Sequence, residues 1–297
     1  MNKDNDTLRK RARSKFISDS VSNSLYYSNP ESPLNKSYYG SRLCSRTIHQ
    51  SGQKLSTRYC RQRWCSVCNR IKTAKLISSY VPVLDQLVEP YFVTLTKRTV
   101  PTEELEDSIK LMDDTWRRIL RSDANRSRKI RGIRKCECTI RPNNHYHYHY
   151  HVIVEGEEAA KWLVGSWLSR LPDVTGSASQ NTKSADSGSI QELFKYFTKL
   201  LTNTGKDGKE FIPAQRMDVI FQLMKGKRVF QSFGKLRSVR EDNNFANQIY
   251  DIIERDFDVW NWKGTDWYNE DEEALTGYKP SEKLKELADK FKSVSSS

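Results

Sequence analysis

The alternation of apolar and polar residues in the middle of the chain predicts several β-strands. Residues 91–96 alternate as a half-buried strand does, and residues 141–144 supply turn chemistry between two longer alternating segments. The predicted strands cover residues 91–96, 132–140, 145–154, 217–223 and 228–233.

Helical spacing of apolar residues predicts helices between and after these strands. The predicted helices cover residues 71–87, 102–122, 157–171, 190–202 and 243–257. Thr102 is the expected N-cap of the second helix. Residues 172–189, rich in Ser, Gly and Asp, are expected to form a loop. This order of elements predicts an α+β fold in which helices flank a central antiparallel sheet.

The composition places the chain among globular proteins. Of its 297 residues 36% are hydrophobic and 29% charged, and the mean hydropathy is −0.77. These figures allow a core with sizeable polar extensions. The sequence contains no run of about 18 apolar residues that would predict a membrane span, and its start lacks the apolar stretch of a secretory signal. We therefore expect a cytoplasmic protein with no membrane partner.

The charge of the chain favours a polyanionic partner. The formal net charge is +13 and the pI is about 9.4. When Lys and Arg side chains neutralise the phosphates of a nucleic acid, the counterions of those phosphates are released, and this release favours binding. The densest basic block runs from Arg117 to Lys135, where nine Lys or Arg accompany a single acid, Asp123. Because compensating acids are almost absent, we expect this block to face DNA. Its candidate DNA-binding residues are Arg117, Arg118, Arg121, Arg126, Arg128, Lys129 and Arg131.

The composition also divides the chain into segments. Residues 1–40 open with basic residues and continue rich in Ser, Asn and Tyr, so we expect a flexible tail that either contacts phosphates or only solubilises the protein. A cysteine-rich segment covers residues 41–80, the main α+β domain residues 81–240, and a helical C-terminal region residues 241–297.

Four of the five histidines lie at every second position of the segment 145–154. On a strand such residues share one face, so His149 and His151 project together and can offer neutral imidazoles to one divalent ion. Two imidazoles leave coordination positions open, which suits Mg²⁺ or Mn²⁺ acting on a phosphate. Glu137 on the preceding strand is the candidate third ligand, if the hairpin register turns it to that face. The roles of His145 and His147 stay open.

A second metal site is predicted from the cysteines. Cys60, Cys65 and Cys68 follow Cys44 within 25 residues, and the Cys-x2-Cys step is typical of a structural zinc site. His49 competes with Cys44 for the position of fourth ligand. Two more cysteines, Cys136 and Cys138, lie opposite Glu137 on their strand and are expected to pack in the core.

The helix predicted at 190–202 contains a candidate nucleophile. Glu192 and Tyr196 are four residues apart and therefore lie on one helix face, and Lys199 lies beside Tyr196. A metal-bound phosphate and a nearby ammonium both favour the phenolate, which is the reactive form of tyrosine. Taken alone, a helix with these three residues is commonplace.

The order of these motifs resembles that of the HUH endonucleases, and more narrowly of the rolling-circle replication initiators of staphylococcal-type plasmids. The resemblance covers about residues 41–240 and rests on the strand 92–96, the His-Tyr-His strand, and the helix with Tyr196 and Lys199. It extends to residues 137–139 before the histidines and to residues 226–228 and 233–234 after them. The departure is the extended His-Tyr repeat.

This resemblance implies that Tyr196 attacks a phosphate of single-stranded or hairpin-extruded origin DNA and keeps the 5′ end as a phosphotyrosine. Glu192 then activates water at termination, and the released 3′-OH serves a polymerase. A host helicase is a further expected partner. Two alternatives stay open: a mobilisation relaxase, and a non-catalytic zinc-dependent DNA-binding regulator.

Overall fold

The computed structural model describes residues 3–52, 54–172, 176–186, 188–189, 193, 202–205, 208–236 and 258–293. The chain divides into two compact units, of which the first comprises residues 1–72, 213–222 and 241–297, and the second residues 73–212 and 223–240. In chain order the elements are α1 (Lys3–Ser28), α2 (Asn35–Arg42), β1 (Thr47–Ser51), β2 (Lys54–Thr57), α3 (Ser66–Leu84), β3 (Pro90–Thr96), α4 (Thr102–Arg121), α5 (Asp123–Arg128), β4 (Gly132–Arg141), β5 (His145–Glu155), α6 (Glu157–Arg170), β6 (Asn181–Ser184), β7 (Thr202–Gly205), β8 (Gly208–Phe211), α7 (Ala214–Leu223), β9 (Phe230–Phe233), β10 (Asp258–Trp262), β11 (Trp267–Tyr268) and α8 (Glu282–Ser293).

The first unit is built on a four-stranded antiparallel sheet in the order β11-β10-β1-β2. Its core contains Ala12 of α1, Ile48 of β1 and Trp267 of β11, all fully buried. The indole N–H of Trp267 donates a hydrogen bond to the carbonyl oxygen of Ser45 (2.7 Å). Strands from the two ends of the chain therefore complete one sheet, and the C-terminal part is not helical throughout.

Residues 1–40 do not form the flexible tail that we expected. They contain α1 and α2, in which Ala12, Val21, Leu25 and Tyr38 are buried. Burial of such apolar side chains stabilises a helix that its own propensity would not. The sequence pattern missed it because the apolar residues of α1 are few and separated by Ser and Asn.

The second unit contains the predicted antiparallel sheet, with five strands in the order β6-β3-β5-β4-β9. The strands predicted at 91–96, 132–140 and 145–154 are confirmed as β3, β4 and β5. The histidine strand β5 lies at the centre of this sheet. β6 was not predicted, because the polar segment 172–189 lacks strand periodicity, although Asn181–Ser184 pairs with β3.

Each face of this sheet is covered differently. The even-numbered side chains of β5 pack against α4 and α6, where the ring of Tyr150 contacts Trp116 (5.8 Å) and Trp167 (5.7 Å). The tyrosines of β5 thus face the helix layer. On the other face Ile153 packs in a cluster with Phe92, Ile133 and residues of α3. The odd-numbered histidines therefore lie beside an apolar core.

Several local predictions are wrong or fall outside the described residues. Residues 217–223 belong to the helix α7, because Ala214, Met217 and Phe221 are buried at helical rather than alternating spacing. Pro101, not Thr102, occupies the N-cap position of α4. The helices predicted at 190–202 and 243–257 lie outside the described residues, except Leu193 and Thr202. No described helix is long and apolar enough to cross a membrane.

Candidate metal centres

The pairing register of β5 brings Glu137 to the face of the histidines. His149 lies opposite Glu137 of β4, and His151 lies opposite Lys135 of β4 and Thr94 of β3. Residues directly opposite each other in antiparallel strands share a face. The sequence made Glu137 a third ligand only if the hairpin register turned it to the face of the histidines, and the register does so.

The three side chains form one compact group. The Nε2 atoms of His149 and His151 are 3.2 Å apart, and the Nε2 atom of His151 is 3.6 Å from Oε2 of Glu137. One ligand atom from each of the three residues lies within 4.8 Å of the others. Both histidines are buried, with 7% and 8% of their surface exposed. Two imidazoles and one carboxylate can hold a divalent ion and leave further positions for ligands.

The protonation of His149 fits a metal ligand. Burial lowers the pKa of His149 to about 4, so its imidazole is neutral near pH 7. Its Nδ1 lies 3.2 Å from the carbonyl oxygen of His147. Since a carbonyl only accepts, Nδ1 carries the proton and Nε2 keeps its lone pair for a metal.

His151 is held by two residues of β3. Its Nδ1 lies 3.4 Å from the hydroxyl oxygen of Thr94, and its ring stacks on Phe92 with centroids 5.3 Å apart. Such contacts orient an imidazole before a metal binds. The position of His151 is therefore set by the neighbouring strand as well as by its own.

Lys135 is a member of the site that sequence reasoning missed. Its ammonium lies 2.9 Å from Oε2 of Glu137, and only 4% of the residue is exposed. A buried ammonium is costly unless it is paired with a charge. The signal was present in the sequence, because Lys135 precedes Glu137 by two residues on a predicted strand and so shares its face.

The other two strand histidines are not in this group. The ring of His147 stacks on that of His149 at 4.9 Å, and burial lowers its pKa to about 4. The Nδ1 of His145 lies 2.8 Å from the carbonyl oxygen of Asn143 in the turn. Their contacts are thus with the strand and its turn.

The tyrosines between the histidines have a different environment. Burial raises the pKa of Tyr148 and Tyr150 well above the usual value, so both phenols stay protonated. Their hydroxyls donate hydrogen bonds to Oδ1 of Asp113 in α4 (3.4 and 2.5 Å). These phenols hold the strand against its helix layer and face away from the metal group.

The four cysteines of the first unit form a second group. The sulfur of Cys44 is 3.5 Å from those of Cys65 and Cys68, and the sulfurs of Cys60 and Cys68 are 3.7 Å apart. A tetrahedral zinc ion with Zn–S bonds of about 2.3 Å needs sulfurs separated by about 3.8 Å. The group therefore fits Zn²⁺. His49 lies in β1 and is not part of it.

The backbone around the cysteines also fits a metal site. The N–H of Arg61 donates to the sulfur of Cys68 (3.2 Å), and that of Cys60 to the sulfur of Cys44 (3.4 Å). Hydrogen bonds among the four sulfurs lower the pKa of Cys65 and Cys68 and raise that of Cys44, and the pKa of Cys60 is raised as well. The thiolate, which is the metal-binding form, is therefore favoured at Cys65 and Cys68.

The basic block surrounds the start of β4. Arg117 pairs with Asp114, Arg126 lies 2.7 Å from Asp123, and Arg131 pairs with Glu155. All seven residues of the predicted DNA-binding set are exposed except Arg131, which is partly buried. These seven residues thus present charge to solvent, although three of the arginines have acidic neighbours. Arg134 and Lys135 at the end of the block are buried and do not face solvent. Tyr196, Glu192 and Lys199 lie outside the described residues.

Comparison with known proteins adds one finding. Residues 52–158 match the family model described as “Replication protein”. This range is just over a third of the chain. It includes Cys60, Cys65 and Cys68 and the strands β3 to β5, and it ends before Tyr196. The match supports a role as a replication initiator. No curated protein and no solved structure matches the chain.

Proposed function

We propose that this chain initiates rolling-circle replication of a plasmid or viral replicon by nicking single-stranded DNA at the origin. The observation that carries the proposal is the group of Glu137, His149 and His151 on paired strands, within a segment that matches a replication protein family. The strand is rejoined or released when replication ends. The enzyme is thus a metal-dependent DNA endonuclease and strand transferase of the HUH type.

Glu137, His149 and His151 would hold the catalytic ion, Mg²⁺ or Mn²⁺. When bound, this ion supplies charge that polarises a phosphate oxygen. Lys135 keeps the carboxylate of Glu137 oriented through their 2.9 Å ion pair. Thr94 and His147 hold the two imidazoles with their Nε2 atoms towards each other. These residues would orient the ion, and through it the scissile phosphate, for attack.

Tyr196 is the proposed nucleophile. Its phenolate oxygen bonds to phosphorus, the bond from phosphorus to the 3′ oxygen breaks, and the 3′ oxygen takes up a proton to leave as a hydroxyl. The 5′ phosphate stays esterified to Tyr196. Lys199, three residues further along the chain, favours the phenolate by its charge. At termination Glu192 takes a proton from water, which then hydrolyses the ester.

The other parts of the chain would serve binding and assembly. The four cysteines hold a structural Zn²⁺, and the basic block from Arg117 to Arg131 contacts origin DNA by its phosphates. The 3′-OH is a substrate for a host polymerase, and a host helicase opens the duplex ahead of it. We place all of these steps in the cytoplasm.

A panel of single-stranded oligonucleotides from the replicon tests the proposal. With Mn²⁺ we expect cleavage of one sequence and a covalent protein–DNA adduct that resists denaturing electrophoresis. Tyr196→Phe should abolish the adduct and leave binding intact, because only the nucleophilic oxygen is removed. Sequence-specific duplex binding without cleavage would instead identify a non-catalytic regulator, and an adduct persisting in Tyr196→Phe would exclude this nucleophile.

A further inference from the structure

A long acid-free segment runs through the first unit. Between Glu31 and Asp85 the sequence contains ten Lys or Arg and not one Asp or Glu. The segment includes α2, both strands β1 and β2, and the four cysteines. The surplus of positive charge in this segment favours contact with a polyanion.

Within this segment Arg42 of α2 lies against three tyrosine rings. Its guanidinium carbon is 5.4 Å from the ring centroids of Tyr26 and Tyr39 and 5.5 Å from that of Tyr27. The carbonyl oxygen of Arg42 accepts a hydrogen bond from the buried Lys15 of α1 (2.9 Å). This hydrogen bond ties the backbone of α2 at Arg42 to α1, while Tyr27 and Tyr39 are 54% and 49% exposed.

A pocket of about 300 Å³ opens on the same helix. Ser37, Arg58, Tyr59 and Gln62 line it, and so do Cys44 and Cys60 of the cysteine group. This volume is at the lower end of the range for small-ligand sites, which suits a group no larger than one nucleotide. The lining offers a guanidinium for a phosphate, an amide and a hydroxyl for polar edges, and an aromatic ring for a flat face.

We propose that Tyr27, Tyr39 and Arg42, together with this pocket, bind single-stranded DNA. An exposed ring stacks on an unpaired base of any identity, and a neighbouring arginine adds cation–π attraction and phosphate charge. In a duplex the bases are already stacked and offer no free face. The choice of DNA rests on the proposed function, but these three residues belong to neither metal group.

Fluorescence anisotropy on the full chain tests the site. The probes are a labelled oligo(dT) of about 20 nucleotides, enough for more than one stacking contact, and a duplex of the same length. Zinc is retained and no Mg²⁺ or Mn²⁺ is added, so cleavage does not interfere. Tyr27→Ala/Tyr39→Ala should weaken oligo(dT) binding about tenfold or more, with little change for the duplex.

Matched controls separate stacking from general damage. Tyr268→Ala is the control for the loss of a tyrosine ring. Tyr268 also has a lysine near its ring, Lys263 at 5.8 Å, but it lies next to acidic residues. The Tyr268→Ala variant should therefore bind oligo(dT) as the unaltered protein does. Tyr39→Phe keeps the ring and should keep the affinity. Arg58→Gln should lower the slope of log affinity against log salt by about 0.7.

Three outcomes would overturn the site: unchanged oligo(dT) affinity in the double variant, an equal loss for the duplex, or an equal loss in Tyr268→Ala. His151→Ala distinguishes this inference from the proposed function. It should bind oligo(dT) normally while cleaving nothing. If even the unaltered protein cleaves no origin strand, the nickase proposal fails, whereas the comparison of binding affinities still decides the stacking site.

Discussion

At the scale of single residues, the position of Glu137 depends on one register. It faces His149 across β4 and β5, and its carboxylate lies within reach of the His151 ring and the Lys135 ammonium. A slip of one residue would turn Glu137 to the tyrosine face. Its charge is balanced by Lys135 until a metal binds. Glu137, which the sequence made a ligand only on condition of this register, is therefore well placed for a metal.

Glu137→Gln is expected to lower the affinity for Mn²⁺ by at least about tenfold, because an amide oxygen is a weaker ligand than a carboxylate. Calorimetric titration of the full chain with Mn²⁺ measures this. Glu155→Gln, which changes a carboxylate of the neighbouring strand β5 outside the group, is the matched control and should bind normally. Equal Mn²⁺ affinity of Glu137→Gln and the unaltered protein would remove Glu137 from the ligand set.

Glu155 itself allows a prediction on pH. Hydrogen bonds from Arg131 (2.6 and 2.5 Å) hold its pKa below the usual 4.5. The folded state thus binds its proton more weakly than the unfolded state, so the stabilisation is complete above about pH 4.5 and is lost as the pH falls through the folded pKa. Since Arg131 is 40% exposed, solvent screening limits the gain to roughly 0.5–1 kcal/mol.

Urea unfolding of Glu155→Gln and the unaltered protein at a series of pH values measures this difference. The free energies of unfolding should differ near pH 7 and converge in acid. A gap that is constant with pH, or that widens in acid, would contradict the assignment.

At the scale of elements, close packing of strands fixes the central sheet. Gly132 begins β4, between β5 and β9. A Cβ at this position would overlap the carbonyl oxygen of Ile153 and lie 2.8 Å from the ring of Phe233. The glycine is required here because two neighbours approach its backbone closely.

Gly132→Ala should therefore lower the free energy of unfolding by about 3 kcal/mol, since backbone atoms cannot move aside easily. Gly165→Ala makes the same change in the exposed part of α6, where a Cβ meets nothing within 4 Å. There the higher helix propensity of alanine should stabilise by about 0.5–1 kcal/mol. Denaturant unfolding compares the two, and similar effects at both sites would contradict the packing argument.

At the scale of the whole molecule, each unit contains one candidate metal group. The second unit carries the histidine and glutamate group on its sheet. The first unit carries the cysteine group, which extends from the loop after α2 to the first turn of α3. A zinc ion held by clustered cysteines, such as Cys44 and Cys65, stabilises a fold where few apolar side chains are available to form a core. We therefore expect the folding of the first unit to depend on zinc.

Cys68→Ser is expected to reduce bound zinc from about one ion per chain to none and to lower the thermal midpoint by on the order of 10 °C. Cys138→Ser is the matched control. Cys138 is buried in β4, and burial raises its pKa, so it stays a protonated thiol outside the group. Metal analysis with thermal melting measures both variants. Zinc retained in Cys68→Ser, or lost equally in Cys138→Ser, would argue against the site.

The sequence by itself determined the features that depend on local periodicity and spacing. These are the strands at 91–96, 132–140 and 145–154, the shared face of His149 and His151, and the grouping of the cysteines. Such patterns follow from the two-residue repeat of a strand and the geometry of a single metal site.

Tertiary structure decided what depends on residues far apart in the chain. The register of β4 on β5 brought Glu137 and Lys135 to His149 and His151, and the burial of Ala12 and Leu25 turned the expected tail into a helix. The pairing of β1 with β10 joined segments about two hundred residues apart. None of these features can be predicted from the local sequence, because each is stabilised only by the burial and hydrogen bonding that the distant partner provides.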